Sequence, residues 1–360
     1  MRILAINPGS TSTKIAVYED EKPILVRNIR HSVEELAQLP EVTQQFEFRK
    51  NLVLKELEKE HIPVLFDAIV GRGGLLKPIP GGVYEINDIM CNEAANAPRK
   101  HACNLGCLIA HELATEIPNC RAFIADPGVV DELDEVARIT GSPLMPRITI
   151  WHALNQRAIA RRYAKERTAA DPEHPVRYED LNLIICHLGG GISVGAHHHG
   201  RAIDVNNALD GEGPFSPERA GSLPAGPLVD LCFSGRFTRE ELKKRIYGQA
   251  GLTAHLGTND LMAVEQRIAE GDLHAQLILD AMIYQIAKSV GAATPVLYGK
   301  VDAILLTGGM ARSSYIIPRL RQRIDFIAPV HVYPGEDEME ALALNAIGAL
   351  KGELPIQVYE

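Results

Sequence analysis

Residues 3–18 read ILAINPGSTSTKIAVY. The apolar run Ile3–Ile6 predicts a short strand, and the alternating run Lys14–Tyr18 predicts a second strand that returns beside it. Between them, Asn7–Ser12 consists of small polar residues with a proline and a glycine, which is typical of a tight turn. The chain is therefore predicted to begin with a β-hairpin whose turn offers backbone N–H groups and hydroxyls.

A similar pattern recurs in the second half of the chain. Residues 183–196 read LIICHLGGGISVGA, again an apolar strand, a turn of small residues and a returning strand. A second pair relates FDAIVGRGG at residues 66–74 to VDAILLTGG at residues 301–309, each an apolar strand that ends in a double glycine. Either echo alone is compatible with a chance likeness of apolar strands. Two echoes in the same order predict a duplicated α/β domain.

Amphipathic or alanine- and leucine-rich segments separate these strands. Residues 168–178, which include Pro172 and Pro175, predict a surface loop before a strand near Leu181. The alternation of strands and helices indicates mostly parallel sheets covered by helices. Helices are predicted for residues 42–59, 151–165, 261–270, 275–290 and 336–350.

Composition and charge exclude several classes of protein. The 360 residues are 46% hydrophobic and 23% charged, which suits about two folded domains. A net charge of −9 disfavours nucleic acid and anionic membranes as partners. The chain contains no run of about 18 apolar residues, so no membrane span is predicted. The amino-terminal strand is too short for a signal peptide. The six cysteines form no disulfide framework; Cys186 and Cys232 lie in apolar runs, so buried thiols and a cytoplasmic location are expected.

Two further glycine-rich turns share the composition of the first. One follows His187, and the other closes the strand before residue 308. Such turns let backbone N–H groups converge on a phosphate, because glycine adds no bulk and serine or threonine adds hydroxyl donors. The first turn is not a P-loop, since it lacks the Gly-x-x-x-x-Gly-Lys pattern and leads into a strand. The candidate phosphate-binding residues are Asn7, Gly9, Ser10, Ser12, Lys14, Gly189, Gly190, Gly191, Gly308 and Gly309.

These three turns resemble the phosphate-1, phosphate-2 and adenosine turns of the acetate and sugar kinase/Hsp70/actin superfamily, and more narrowly the acetokinase family. Residues 71–74, 123–126, 147–152 and 334–338 fit further segments of that family. The resemblance implies an α/β protein of two related ribonuclease H-like (actin-like ATPase) domains around a cleft. It places the first domain at residues 1–150, joined by the C-terminal helix at 340–360. The second, with the nucleotide site, spans 151–339, and a homo-oligomer is expected.

The resemblance also implies an activity, the reversible ATP-dependent phosphorylation of butyrate and related short or branched-chain fatty acids to acyl phosphates, with Mg²⁺. A carboxylate nucleophile is ionised at neutral pH, so transfer needs in-line positioning and charge stabilisation rather than a general base. Arg72 is expected to hold the acid and the phosphoryl oxygens with its planar donor fork. The other residues that the resemblance marks as catalytic are Asp126, His152, His187 and Arg147.

Metal, nucleotide and acyl-chain positions follow from the same resemblance. It implies Mg²⁺ at Asn7, Asp126 and Glu338, held through water, and a contribution of Asp260 to nucleotide binding. Two glycines after Arg72 replace branched residues that acetate kinases have there, which is expected to leave room for a four- or five-carbon acid. The residues implied to line the acyl pocket are Gly73, Gly74, Trp151 and Pro217.

The chain also departs from the acetate kinase pattern. Met262 stands where those kinases have an arginine near the nucleotide, and Gly221–Leu223 lacks the arginine of a second segment. Arg219 is a candidate substitute for the missing cation. These departures favour the butyrate-phosphorylating branch of the family.

Two other function classes stay open. A sugar or polyol kinase of the same superfamily would need Asp126 as a general base, whereas a nonenzymatic Hsp70- or actin-like ATP switch would bind peptides or form filaments. The run His197–His199 raises the possibility of a metal site. Because successive strand side chains point to opposite faces, three neighbouring histidines cannot bind one ion, and the run is predicted to be a solvated hairpin tip.

Overall fold

The computed structural model describes residues 1–39 and 41–360. These residues divide into two compact units. The first unit comprises Met1–Val130 and Asp337–Glu360, and the second unit comprises Asp131–Glu336.

The boundaries of the units differ from those that the sequence suggested. The chain passes from one compact unit to the other near residues 130 and 336, whereas the sequence suggested boundaries near residues 150 and 339. Residues 131–150 group with the second unit because they bond to its strands. The N–H of Asp134 donates to the Ile203 carbonyl at 2.9 Å, and the N–H of Ala208 donates to the Ile150 carbonyl at 2.9 Å.

The strands of the described residues form two sheets, one in each unit. In chain order they are β1 (Arg2–Pro8), β2 (Ser12–Glu19), β3 (Lys22–Arg30), β4 (Ala68–Gly71), β5 (Val83–Glu85), β6 (Arg121–Ala125), β7 (Asn182–Leu188), β8 (Ile192–His198), β9 (Arg201–Val205), β10 (Ala303–Gly308), β11 (Val330–Pro334) and β12 (Ile356–Gln357).

Helices connect and cover these strands. In chain order they are α1 (Val33–Ala37), α2 (Gln45–Lys59), α3 (Asp88–Asn96), α4 (Leu105–Thr115), α5 (Glu135–Arg138), α6 (Ala153–Ala170), α7 (Ala225–Phe233), α8 (Arg239–Lys244), α9 (Gly251–Leu256), α10 (Leu261–Ala269), α11 (Leu273–Val296), α12 (Ile316–Ile324) and α13 (Glu338–Lys351). The predicted helices are present with shifted ends; the first begins as a 3₁₀ turn at Val42–Gln44 before α2.

The sheet of the first unit has the strand order β12-β5-β6-β4-β1-β2-β3. β1 and β2 form the predicted antiparallel hairpin, with Asn7 opposite Lys14. β4 runs parallel to β1, with Gly71 beside Ile6, and β6 runs parallel to β4. The carboxyl ends of β1, β4 and β6 therefore meet at one edge of the sheet.

The sheet of the second unit has the order β11-β10-β7-β8-β9. β7, β8 and β9 form an antiparallel meander, while β10 and β11 run parallel to β7. The first unit contains the same five-strand arrangement in β6-β4-β1-β2-β3. The prediction of a duplicated α/β domain is thereby confirmed.

Alternate residues of β7 pack against different helices. Ile184 and Cys186 belong to a core with α11, whereas Leu183 and Ile185 belong to a core with α6. Strand side chains alternate between the two faces of a sheet, so an unbroken apolar run indicates a strand buried on both faces. This packing holds the carboxyl end of β7 rigid.

The histidine run is only partly as predicted. His199 and Gly200 adopt positive φ at the tip of the β8–β9 hairpin, and His198 and His199 are exposed. His197 is completely buried, which makes the prediction of a solvated run wrong for this residue. The reason is the two-residue period of β8, which turns His197 towards α6.

The cysteines are thiols in the described part of the chain. Cys186 is buried as expected, but Cys232 is exposed, because α7 buries none of its residues. Among the described residues, no helix is both long and apolar enough to cross a membrane.

Candidate functional site

Three residues from distant parts of the chain meet at the carboxyl edge of the first sheet. Asn7 lies near the end of β1, Arg72 follows β4, and Glu338 begins α13. The Asn7 amide donates to Glu338 Oε2 at 2.6 Å, and Arg72 Nη1 donates to the same oxygen at 2.9 Å. Glu338 is buried, whereas the Arg72 side chain remains 32% exposed and so can be reached by a ligand.

Asp126 follows β6 at the same edge of the sheet. It is 1% exposed, and its Oδ1 accepts a hydrogen bond from the Gly82 N–H at 2.8 Å. Its φ is +39°, a left-handed conformation that is uncommon outside glycine and costs backbone energy. Such strain persists where surrounding structure enforces it, so Asp126 is a candidate functional residue on geometric grounds as well.

The turn between β1 and β2 is closed by one hydrogen bond, from the Gly9 N–H to the Ser12 carbonyl at 2.7 Å. Ser10 lies at the exposed tip and Lys14 is exposed on β2. The predicted phosphate-binding residues between Gly9 and Lys14 thus lie on one continuous turn beside Asn7.

The two glycines after Arg72 do not open space. A Cβ on Gly73 would lie 2.5 Å from Pro127 Cβ, and a Cβ on Gly74 would lie 2.7 Å from Asn104 Cα. The expectation that these glycines leave room for a longer acid is wrong at these positions, because Pro127 and Asn104 already occupy it. Asn104 also accepts the Leu75 N–H at 2.8 Å and so fixes the loop after Arg72.

The second unit brings together His152 and His187. His187, near the end of β7, is buried, and its Nδ1 lies 2.7 Å from Asn155 Oδ1. The two imidazoles stack in parallel with ring centroids 3.8 Å apart. His187 Nε2 lies 3.4 Å from Glu336 Oε1. Both candidate histidines are therefore parts of one site.

A buried chain of hydrogen bonds extends from His152. His152 Nδ1 lies 2.9 Å from Ser193 Oγ, which also accepts from Gln156 Nε2 at 2.8 Å. Gln156 Oε1 lies 2.8 Å from His197 Nε2, and His197 Nδ1 lies 2.6 Å from the Tyr178 hydroxyl. The sequence reading missed Ser193 and Gln156, whose only signal was their closeness to the glycine turn and to His152.

This chain determines which nitrogen of His197 carries the proton. Gln156 donates from its amide nitrogen to Ser193, so its amide oxygen accepts from His197 Nε2–H. Burial lowers the pKa of His197 to about 3, so the ring is neutral and its Nδ1 accepts from the Tyr178 hydroxyl. Ser193 Oγ accepts from Gln156 and lies within hydrogen-bond distance of His152 Nδ1, so it links His152 to this chain.

Arg147 is bound to protein groups of the second unit. It pairs with Asp204 at 2.9 Å and Glu212 at 3.3 Å, and it donates to the carbonyls of Ala137 and Val205. These contacts join the segment before α6 to the loop after β9. Arg147 therefore stabilises the structure around the site through contacts with protein groups.

A cavity of about 500 Å³ opens in the second unit, a size suited to a small organic ligand. Asp260 lines it and caps α10, accepting the Met262 N–H at 2.9 Å. Gly308 has a φ of +93°, and a side chain there would overlap the Leu188 carbonyl. The walls comprise residues 189–190, 217–218, 259–262, parts of 309–314, Glu265 and Glu336.

Two residues expected in the acyl pocket, Trp151 and Pro217, belong to the second unit. Pro217 lines the cavity together with Gly189 and Asp260, the residues assigned to nucleotide. Trp151 is buried and packs edge-on against His197 with ring centroids 5.6 Å apart. Trp151 therefore supports the hydrogen-bond chain behind His152.

Arg219, the candidate substitute for a missing arginine, is half-buried against the second glycine turn. Its Nη1 donates to the Ala208 carbonyl at 2.6 Å, and a Cβ on Gly191 would overlap its guanidinium. Burial lowers the pKa of this guanidinium. Arg219 thus places a cation directly against the Gly189–Gly191 turn.

The donor set at the first-unit edge fits a magnesium ion that keeps most of its water. Among the described residues, no group of three or more His, Cys, Asp or Glu side chains could enclose a metal. Mg²⁺ commonly binds through one or two carboxylates, waters and substrate phosphates. Asn7 donates a hydrogen bond from its amide nitrogen to Glu338, so its amide oxygen is the atom that could accept from a metal-bound water.

Comparisons with known proteins identify the relatives of this chain. The family model described as the acetokinase family matches residues 159–328. The chain is 69% identical to a probable butyrate kinase of Bacteroides thetaiotaomicron, with 100% of both chains covered. It is 55% identical to a probable butyrate kinase of Phocaeicola vulgatus, covering 100% of this chain and 99% of the relative.

A solved structure supports the fold. The crystal structure of Porphyromonas gingivalis acetate kinase matches with a TM-score of 0.74 at 20% sequence identity, covering 97% of this chain and 99% of that one. The fold is therefore that of the actin-like ATPases, in agreement with the two related sheets. Full-length identity to named relatives, together with the matched family model, shows that this chain belongs to the acetokinase family.

Proposed function

We propose that this protein transfers the γ-phosphoryl group of ATP to the carboxylate of butyrate and of related short-chain acids. The products are the acyl phosphate and ADP, and the reaction is reversible. The full-length relatives named probable butyrate kinase support the substrate class. The observation that carries the chemistry is the convergence of Asn7, Arg72 and Glu338, which presents a guanidinium at the edge of the first sheet.

The transfer requires two anions to approach each other. One carboxylate oxygen of the acid forms a bond to the γ-phosphorus while the bond between that phosphorus and the bridging oxygen of ADP breaks. The carboxylate is already ionised, so no proton has to be removed. Arg72 offsets the negative charge of both partners with its planar fork, and Glu338 holds that fork in place.

His152 acts as a hydrogen-bond donor in this proposal, with Ser193 donating to its Nδ1 so that the ring proton lies on Nε2. His187 donates from Nδ1 to the Asn155 amide oxygen, and its ring stacks on His152 and holds it in place. Preorganised donors stabilise phosphoryl oxygens as negative charge spreads over them in the transition state.

Mg²⁺ would be held by Asn7, Asp126 and Glu338 through water. When bound, the ion would neutralise part of the charge of the nucleotide phosphates. The oxygen donors at these positions fit a hard cation. We extend this role to Asp126 because it follows β6 at the same edge as Asn7 and Arg72.

The adenosine part of the nucleotide is proposed to occupy the cavity of the second unit. Gly308 and Gly309 allow close approach of the backbone, and Asp260 and Pro217 lie on other walls. The turns at Gly9–Ser12 and Gly189–Gly191 would bind phosphate oxygens. Since ATP and short-chain acids meet in the cytoplasm, we place the reaction there, and we expect a homo-oligomer.

A hydroxamate assay tests the proposal. Purified protein is incubated with ATP, Mg²⁺ and butyrate, and the acyl phosphate is trapped as its hydroxamate. We expect turnover that depends on all three components and that is faster, in kcat/KM, with butyrate than with acetate. No hydroxamate, together with ADP formation from a sugar or polyol, would instead support a hydroxyl-directed kinase in which Asp126 acts as a base.

A further inference from the structure

Arg49 of α2 is completely buried behind the turn between β1 and β2. Its Nη1 donates to the Ser12 carbonyl at 3.0 Å and to Thr13 Oγ1 at 3.0 Å. Its Nη2 donates to the Ser10 carbonyl at 3.3 Å, and Gln45 Oε1 accepts from both Nε and Nη2, at 3.1 and 2.9 Å. All of these acceptors are uncharged.

The remaining neighbour of Arg49 is also uncharged. His31 Nε2 lies 3.2 Å from Arg49 Nη1, and burial together with the Arg49 charge lowers the pKa of His31 to about 4. Glu35, which acts electrostatically on His31, is exposed and accepts the Ser32 N–H. Among the described residues, no carboxylate lies within ion-pair distance of Arg49. Burial lowers the pKa of Arg49 only to about 10, so its charge persists at neutral pH.

A buried cation without an anion is costly, because the low-dielectric interior neither solvates nor neutralises it. Proteins rarely retain such a group unless a ligand or a partner supplies the missing charge. The position of Arg49 identifies where that charge would sit, since its fork contacts the peptide groups of one turn only, at residues 10–13.

The orientation of this turn agrees with an anion on its outer side. In a trans peptide the carbonyl and the N–H point in opposite directions. The Ser10 carbonyl points towards Arg49, so the N–H of Thr11 points away from it. In the described part of the chain, the N–H groups of Ser10 and Thr11 donate to no backbone carbonyl. The turn therefore presents the Ser10 and Ser12 carbonyls to the buried cation and the Thr11 N–H to the opposite side.

We propose that Arg49 is a positioning residue for phosphate binding at this turn. It holds the Ser10 and Ser12 carbonyls inwards and supplies positive potential beneath a bound phosphoryl group, whose negative charge compensates the buried guanidinium. This inference rests on the proposed phosphate-binding function of residues 7–14. It adds to that function a residue from α2 that does not touch the ligand.

The test compares R49M and R49Q, which remove the charge, with R49K, which keeps it. Arg121 provides the matched control as R121M, because it lies at the opposite end of the parallel strands and is paired with Glu85 at 2.7 Å. ATP and orthophosphate binding are measured by calorimetry, and steady-state kinetics are measured with butyrate. We expect R49M to weaken ATP binding and to raise KM for ATP at least tenfold, with kcat within about threefold of wild type. R49K recovers most of the affinity, and R121M binds as wild type.

A merely structural role would give a different pattern. If R49M lowers the thermal stability of the ligand-free protein but binds ATP and orthophosphate as wild type does, the inference is overturned. A second outcome would also overturn the inference. In this outcome R49M and R49Q both fail to fold, and R49K folds but binds ATP at least tenfold more weakly than wild type. These outcomes are separate from the proposed function, which fails only if the wild-type protein forms no acyl phosphate.

Discussion

Replacement of Arg72 by glutamine is the sharpest test of the proposed chemistry. R72Q removes the charge but keeps two N–H donors near Glu338 Oε2, which the guanidinium contacts at 2.9 Å. Two unit charges about 4 Å apart interact by about 4 kcal/mol at an effective dielectric constant of about 20. Loss of one preorganised donor to a transition state costs about 3 kcal/mol. Both estimates predict a fall in kcat/KM for butyrate of about a hundredfold to a thousandfold.

The loss has two possible origins that a double mutant separates. R72Q leaves the buried Glu338 carboxylate without its cation, which could disturb the site without any role of Arg72 in transfer. E338Q removes that orphaned charge, so R72Q/E338Q would be as active as E338Q alone if the disturbance were the whole cause. We expect the double variant to fall at least tenfold below E338Q in the hydroxamate assay. R121Q, which changes an arginine paired with Glu85 elsewhere in the first unit, serves as the control.

A retained rate would refute this reasoning. If R72Q turns over butyrate at more than half of the wild-type kcat/KM, Arg72 does not stabilise the reacting anions. Equal activity of R72Q/E338Q and E338Q would likewise reduce Arg72 to a counterion for Glu338.

Three further predictions concern other parts of the structure. Gly74→Ala places a Cβ 2.7 Å from Asn104 Cα, so we expect a loss of about 2 kcal/mol in the free energy of unfolding by denaturant titration; an unchanged midpoint would contradict the packing. Ser193→Ala removes the hydroxyl that lies 2.9 Å from His152 Nδ1, and we expect kcat to fall about tenfold with KM for butyrate nearly unchanged, whereas a shift in KM alone would argue against a role of this contact in positioning His152. His197 has a pKa near 3 when folded and 6.5 when unfolded, so the unfolded state binds the extra proton between these values. The free energy of unfolding then falls by about 1.4 kcal/mol for each pH unit below about 6.5, and His197→Gln is expected to flatten this dependence in thermal melts; an equal slope would contradict the assignment.

Local patterns in the chain were sufficient to predict the strands and the duplication. The hairpin of β1 and β2 follows from alternation around a turn of small residues, which are properties of neighbouring positions. The same holds for β7 and β8, with the glycine turn between them. The turns that we propose to bind phosphate could be chosen for the same reason, since their composition is a property of six to eight consecutive residues.

Contacts between distant residues were harder to predict. Glu338 was chosen through a resemblance, but its bonds to Asn7 and Arg72 depend on how α13 packs against β1. Gly73 looked like open space because a sequence shows the absent side chain and not the neighbour that fills its place, here Pro127.

The order of small and apolar residues along the chain determined the two related sheets, the turns at their edges and the family to which the chain belongs, because backbone geometry and hydrophobic burial act over short windows of sequence. Only the tertiary structure decided that His197 is buried against Tyr178 and that Arg49 lies uncompensated behind the first turn. Burial and charge compensation are sums over every group packed around a side chain, and those groups come from elements far apart in the chain. For that reason candidate site residues could be named from the sequence, whereas the groups that pack around them and compensate their charge became visible only in the folded molecule.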